Sequence, residues 1–343
     1  MTELGVLQEG RTHRMALRAH ARRLRRRRAA GCGLLVVVLA LATLLVAMAP
    51  SASSPGVTPA RVAHSEARPA TPARAHPGSG GYGVAPAGAR VGVRLKLPVV
   101  SGLLFDVRTG RVLWARDPEQ ILPIASLTKM MTALVVVDHA RRNASVLITR
   151  QALDYSGSGV GLLPLGKRVP VQTLLYGLLL PSGNDAAIAL AQDVAGTQAR
   201  FVAIMNARAR AMGLRCTHFA SVSGIVDQGN RSCAADLAIL AHAVLKRPLL
   251  AQIVGSASAT LPFPIKGGKL YLYNNNPLLR LGYPGADGVK TGYTVAAGPC
   301  LVATARHGRK WLGVVLLHSA DPSGQAQELL NAGFAALGMA AGA

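Results

Sequence analysis

"DGVKTGYTVAAGPCLVATARHGRKWLGVVLLHS", residues 287–319, decides how this chain folds. Its runs 287–295, 299–308 and 310–319 read as strands separated by short turns. Turns this short join neighbouring strands only as antiparallel pairs. At the other end, "VVSGLLFDVRTGRVLWARD" (99–117) reads as two more strands about a turn at Arg108-Thr109-Gly110. Between the two ends the pattern is helical. "VPVQTLLYGLLLPSGNDAAIALAQDVAG" (169–196) predicts two helices broken at Pro181-Ser182-Gly183, the second stopped by Gly196. "ARFVAIMNARARAMG" (199–213) and "CAADLAILAHAVLKRP" (233–248) predict two more, ended by Gly213 and Pro248, and 323–338 closes the chain as a helix. Strands at both ends with a helical middle predict an α+β fold. The terminal elements build one antiparallel sheet flanked by helices, and the middle forms a helical lobe.

The segments before this domain have a different composition. Residues 11–28 hold nine arginines, and 29–49 hold no charge at all. About 20 apolar residues suit one transmembrane helix, and basic residues stay on the cytoplasmic side. The expected layout is a basic cytoplasmic segment 1–28, a signal-anchor 29–49, a Pro/Ala/Gly-rich disordered linker 50–96 and an extracytoplasmic domain 97–343. Ala47-Met48-Ala49 has the small-x-small form of a cleavage site, but Pro50 follows it, and both basic and apolar runs are long for a signal peptide. A retained anchor is therefore expected, with secretion after cleavage as the alternative. Extended at ~3.1 Å per residue, the linker would reach more than ~100 Å from a bilayer. The formal net charge is +23, half the residues are apolar and 4% are aromatic. Such a charge suits nucleic acid, an anionic membrane or a polyanionic wall. The densest arginines abut an apolar span and no nucleic-acid motif is present, so no nucleic-acid partner is expected.

Three short patterns carry chemistry. In "PIASLTKMMTALVVV" (123–137) a helix begins just after Ser126, and Lys129 sits three residues on, near the positive end of the helix dipole. Residues i and i+3 share a helix face, so hydroxyl and amine can meet. A lysine kept partly neutral by burial and nearby positive charge is a base for a serine. A Ser cap followed by a chance lysine would look the same. Ser182-Gly183-Asn184 sits at a helix break, where it either presents a hydroxyl and an amide to a cleft or forms a capping box with Asp185. In Lys290-Thr291-Gly292, alternation puts Lys290 and Gly292 on one face. The missing side chain at Gly292 admits another backbone closely, and Lys290 with Thr291 offers charge and a hydroxyl to an anion. A surface lysine on an edge strand is the plain alternative.

Ser-x-x-Lys, Ser-x-Asn and Lys-Thr-Gly, in that order, resemble the motif set of the serine penicillin-binding proteins and β-lactamases. "PIASLTKMMTA", "LLYGLLLPSGNDAA", "NNNPLL" and "ADGVKTGYT" look like the low-molecular-mass serine D-alanyl-D-alanine carboxypeptidases, peptidase family S11, from about 97 to 334. The resemblance implies a β-lactamase/transpeptidase-like fold and removal of the terminal D-alanine from peptidoglycan stem peptides. It also implies covalent binding of β-lactams. Under it Ser126 is the nucleophile, Lys129 its base, and Ser182 a proton relay towards the leaving amine with Lys290 beside it. Asn184 holds the substrate amide, and Lys290 and Thr291 bind the terminal carboxylate. The N–H groups of Ser126 and Tyr293 form the oxyanion hole, and substrate lies as an added strand along 290–294. No cofactor is implied.

Some features depart from the pattern or narrow it. No glutamate occurs between Glu119 and Glu328, which argues against the glutamate-dependent deacylation of class A β-lactamases. A DD-endopeptidase, another β-lactamase or a catalytically weak wall-binding relative remain as alternatives. No Lys or Arg follows Lys310, where some relatives grip the substrate carboxylate with an arginine. "SVSGI" (221–225) stands where relatives often carry Asn-Pro or His before Gly-Leu, and by itself reads as a turn. No C-terminal β-rich domain or amphipathic anchor is expected. Histidine and cysteine spacings predict no metal. Cys300 should be a buried thiol. Cys216 and Cys233 flank a loop and are either bridged or free, which the Cα separation tests.

Overall fold

The computed structural model describes residues 83–84, 91–141 and 143–338, all within the unit His76–Ala343. The basic segment 1–28, the predicted span 29–49 and most of the linker 50–96 lie outside the described residues. Among the described residues no single helix is long and apolar enough to cross a membrane.

The tail strands and the first two strands join in one sheet. These are β1 (Val99–Asp106), β2 (Val112–Arg116), β9 (Ala286–Thr294), β10 (Gly298–His307) and β11 (Lys310–Ser319), in the order β2-β1-β11-β10-β9. Every pair is antiparallel, and the last strand sits against the first, with Leu103 opposite Val315. Six short strands form three separate pairs: β3 (Leu122–Pro123) with β6 (Arg231–Ser232), β4 (Ser145–Leu147) with β5 (Arg168–Pro170), and β7 (Ser258–Pro262) with β8 (Lys269–Tyr273).

Strand alternation divides the core in two. Leu103, Phe105, Val302 and Val315 point into the larger cluster, towards the helical lobe. Leu104, Leu301, Val314 and Leu316 point the other way, onto Leu329, Leu330 and Phe334 of the closing helix. A sheet covered on both faces needs continuous apolar strands, which is why "WLGVVLL" shows no polar alternation.

The helices are α1 (Lys129–His139), α2 (Arg150–Leu153), α3 (Val171–Leu179), α4 (Asn184–Ala195), α5 (Gln198–Ala211), α6 (Ala234–Leu245), α7 (Pro248–Gly255), α8 (Pro277–Arg280) and α9 (Pro322–Ala336). α1 is buried from Lys129 to Val136, as expected of a helix that is apolar all round. It packs against α3, α4, α5 and α6.

The structure departs from the sequence reading in the short strands β3–β8 and the short helices α2 and α8, which that reading did not include, and in further details. Ser126 lies in a 3-10 turn, Ala125–Thr128, and the α-helix starts at Lys129 itself. Pro248 opens a further helix, α7, at its first position, where its missing N–H costs nothing. Packing also begins before residue 97. Val91 is buried and donates its N–H to Leu113 O at 3.1 Å, and Val93 and Leu95 pack on the same cluster. Cys216 and Cys233 are bridged, with a Cα separation of 5.6 Å, and Cys300 is a buried free thiol.

Candidate active site

The site lies where edge strand β9 passes the turn that carries Ser126. A Cβ built on Gly292 would stand 3.0 Å from Ile124 O and 3.2 Å from Ser126 N. Only glycine lets the strand run this close to the serine's backbone. Lys290 and Gly292 share the buried face, as the alternation predicts, while the Tyr293 side chain is exposed. Among the described residues β9 pairs within the sheet on one flank, to β10, and its other flank is a sheet edge, the kind of edge to which a strand can add.

The turn itself is held tightly. Ala125 has a φ of +47°. Its carbonyl accepts from Thr128 Oγ1 at 2.8 Å, and Asn230 Nδ2 donates to the same hydroxyl at 2.8 Å. Gly224, with a φ of +80°, passes so close that a Cβ would collide with the Ala125 carbonyl.

Lys129 is fully buried. Its Nζ donates to Ser126 Oγ at 2.8 Å and to Ser223 O at 2.8 Å. Burial first, and then the charge of Lys290, push its pKa well below the usual lysine value, against an opposing pull from Asp185. Lys290 is 1% exposed, donates to Thr291 O at 2.9 Å, and is pushed down to about 7 by burial. The alternative of a surface lysine on an edge strand therefore does not hold. Two lysines buried together with one carboxylate are a costly arrangement that a core would not adopt for stability.

Ser182 and Asn184 sit at the break between α3 and α4. Ser182 has a φ of +69°, a strained conformation for a residue with a side chain. Its Oγ is buried without a hydrogen-bond partner among the described residues. The capping box is not formed, because helix α4 is capped at Gly183 without a side-chain bond. Asp185 instead accepts from the N–H groups of Val160 (2.9 Å) and Gly161 (3.1 Å), pinning that loop to the helix start. Asn184 Nδ2 donates to Ser156 O at 2.6 Å, which fixes the amide orientation and leaves Oδ1 buried without a partner among the described residues. A buried unpaired polar atom costs about 1–3 kcal/mol. Two such atoms leave places for a ligand's N–H or O–H.

Three contributors escaped the sequence reading. The "SVSGI" turn is more than a connection, since the Ser223 carbonyl holds Lys129 and Ser221 Oγ accepts from Gly224 N at 2.9 Å. A backbone carbonyl leaves no mark on residue type. Asp227 Oδ1 accepts from Thr294 Oγ1 at 2.6 Å, tying the same loop to the end of β9. Asn276, within the quoted "NNNPLL", donates from Nδ2 to Gly288 O at 2.6 Å, two residues before Lys290. Among the described residues the metal-ligand types that converge are Cys216, Cys233 and Asp236, and the disulfide consumes both thiols.

A covered antiparallel sheet, a helical lobe, and a Ser-x-x-Lys turn facing a Lys-Thr-Gly strand define the transpeptidase-like fold class. The comparisons narrow this. Residues 95–320 match peptidase family S11, described as D-alanyl-D-alanine carboxypeptidase, and the chain belongs to that family. The D-alanyl-D-alanine carboxypeptidase DacF of Bacillus subtilis (strain 168) is 34% identical over 227 residues, 65% of this chain and 58% of that protein. The chain thus spans less than two thirds of that relative. DacB2 of Mycobacterium tuberculosis is 36% identical over 246 residues, 69% of this chain and 83% of that protein. The crystal structure of the Streptomyces K15 DD-transpeptidase superposes with a TM-score of 0.66 at 34% identity, covering 71% of this chain and 99% of that one.

Proposed function

We propose that the chain is a serine-type D-alanyl-D-alanine carboxypeptidase acting on peptidoglycan stem peptides through an acyl-enzyme on Ser126. The observation that carries the reading is the 2.8 Å contact between Ser126 Oγ and a fully buried, readily deprotonated Lys129. Neutral Lys129 takes the Oγ proton as Oγ attacks the carbonyl carbon of the penultimate D-alanine. The N–H groups of Ser126 and Tyr293 receive the oxyanion. Collapse breaks the C–N bond, and the leaving D-alanine gains its proton through Ser182, with Lys290 beside it. Water then attacks the ester, frees the shortened peptide and restores Ser126. Asn184 Oδ1 accepts the substrate backbone N–H. Lys290 and Thr291 bind the terminal carboxylate, whose charge in turn stabilises protonated Lys290. The peptide adds as a strand on the open flank of β9.

A β-lactam follows the same first step. Its ring C–N bond breaks, but the amine stays tethered to the acyl group and Ser126 remains blocked. We further infer, from the sequence of 1–96, that 29–49 anchors the chain in the cell membrane and that the catalytic domain works on the outer side. The test is hydrolysis by the full chain of a free pentapeptide ending in D-Ala-D-Ala beside a cross-linked peptide dimer. Faster release of D-alanine from the pentapeptide is expected. Preferential cleavage of the dimer would make the chain an endopeptidase instead.

A further inference from the structure

A cluster of cationic side chains lies at the far end of the sheet. Arg108 on the β1–β2 turn, Lys246 at the end of α6, and Arg306, Arg309 and Lys310 about the β10–β11 turn line one cavity of about 380 Å³ with Trp311. At ~30 Å³ per water it has room for roughly a dozen waters or one small polyanion. Arg306 lies four residues beyond Val302, which pairs with Lys290. At ~3.4 Å per residue this places the cavity about 14 Å along the strand from the catalytic cluster.

Among the described residues no acidic side chain lines the cavity. Two carboxylates flank these residues: Asp106 Oδ1 accepts from the N–H groups of Arg108 and Thr109, each at 2.9 Å, and Asp287, near the start of β9, is engaged by three donors. Asp287 accepts from Thr304 Oγ1 (2.6 Å), Arg306 Nε (2.8 Å) and Trp311 Nε1 (3.3 Å). These bonds orient Arg306, whose guanidinium carbon stacks 3.4 Å from the centroid of the Trp311 ring. Neither of its Nη groups hydrogen-bonds to a described residue. A guanidinium held by its Nε and by its face, with the Nη edge unused, is preorganised for an oxyanion.

The fold accounts for some of these cations. Lys246 complements the C-terminal end of a helix dipole, and Arg306 neutralises Asp287. Arg108, Arg309 and Lys310 have no ion pair among the described residues. They come from two turns far apart in sequence that the fold brings to one cavity, where like charges repel.

We infer that this cavity is a binding site for a phosphate or pyrophosphate group, separate from the peptidase centre. Several converging cations with one fixed guanidinium favour a compact, multiply charged oxyanion over a single carboxylate. The group comes either from a soluble phosphate compound or from the headgroup of an anionic lipid. The inference does not depend on the peptidase reading.

The experiment is calorimetric titration of the full chain with inorganic pyrophosphate. Saturable one-to-one binding is expected, and it should weaken steeply from ~0.01 M to ~1 M salt as the Debye length falls from ~30 to ~3 Å. The pair Arg309→Glu with Lys310→Glu lies on an exposed turn and should leave thermal unfolding nearly unchanged. It should weaken binding about tenfold or more. Arg306→Lys keeps the charge but loses the fork, and should weaken binding as well. Repeating the titration with phosphatidylglycerol or phosphatidylcholine vesicles separates the sources. Competition by the anionic vesicles alone assigns the site to lipid headgroups, and no competition by either assigns it to soluble phosphates. Absence of saturable binding, or equal binding by folded variants and wild type, overturns the inference.

Discussion

At the scale of single residues, the site is built from groups the fold would be more stable without. Lys290 and Lys129 are fully buried with depressed pKa values. An unfolded lysine titrates near ~10.4, so between about 7 and that value the unfolded chain binds the extra proton at Lys290. Stability from this group therefore rises with pH across that window, and below it the cost of burying the charge is fully present. Lys290→Met should raise stability at neutral pH by about 1–2 kcal/mol while removing most acylation. Thermal unfolding beside labelled-penicillin binding checks both halves. The same groups set a pH profile. On the proposed roles, acylation needs neutral Lys129 and gains as pH rises through its lowered pKa, whereas carboxylate binding needs charged Lys290 and is lost as pH rises through about 7. A bell-shaped kcat/KM is expected. Its alkaline limb should move upward in kcat, because bound carboxylate favours the charged lysine. Lys129→Ala should slow acylation by about 10²–10⁴ in stopped-flow measurements with a chromogenic β-lactam.

At the scale of elements, the arrangement depends on close approach. β9 passes Ser126 only because residue 292 has no side chain. Gly292→Ala would push the strand off the Ser126 turn, and displacements near 1 Å can cost about 10²-fold in rate. The expected outcome is a large loss of acylation with a small loss of stability, read from the same two assays. Much of this level was legible. The helix break at 181–183, the strand runs of the tail and the Gly196 and Gly213 stops are local signals, and they hold. What was missed depended on partners distant in sequence or on signals diluted by composition. The Ser223 carbonyl reaches Lys129 across 94 residues. The alternation of Leu270 and Leu272 in β8 was visible but lies between polar stretches. Val91, Val93 and Leu95 alternate too, inside a stretch that Pro and Gly made look like linker.

For the whole molecule, the helical lobe and the sheet must be held in register, because each contributes half of the site. Ser126, Lys129, Ser182 and Asn184 come from the lobe, and 290–293 come from the sheet. The loop 221–230 connects them, with Ser223 on Lys129 and Asp227 on Thr294. The Cys216–Cys233 bridge closes the segment that contains this loop, with a sequence separation of 17. A loop of that size is worth about 3 kcal/mol, or about 6–12 °C in a domain of this length. Reduction, or Cys216→Ser with Cys233→Ser, should lower the unfolding temperature by that amount in a scan with and without reductant. The general layout followed from the order of strand and helix patterns along the chain. The joining of the two halves into one reactive site rested on the three motifs together, since each alone fits an ordinary turn or cap. The most direct test of the central claim is release of D-alanine from a D-Ala-D-Ala pentapeptide by the full chain beside Ser126→Ala. Release should stop in the folded variant. Release by the variant at the wild-type rate would contradict the assignment of Ser126 as the nucleophile.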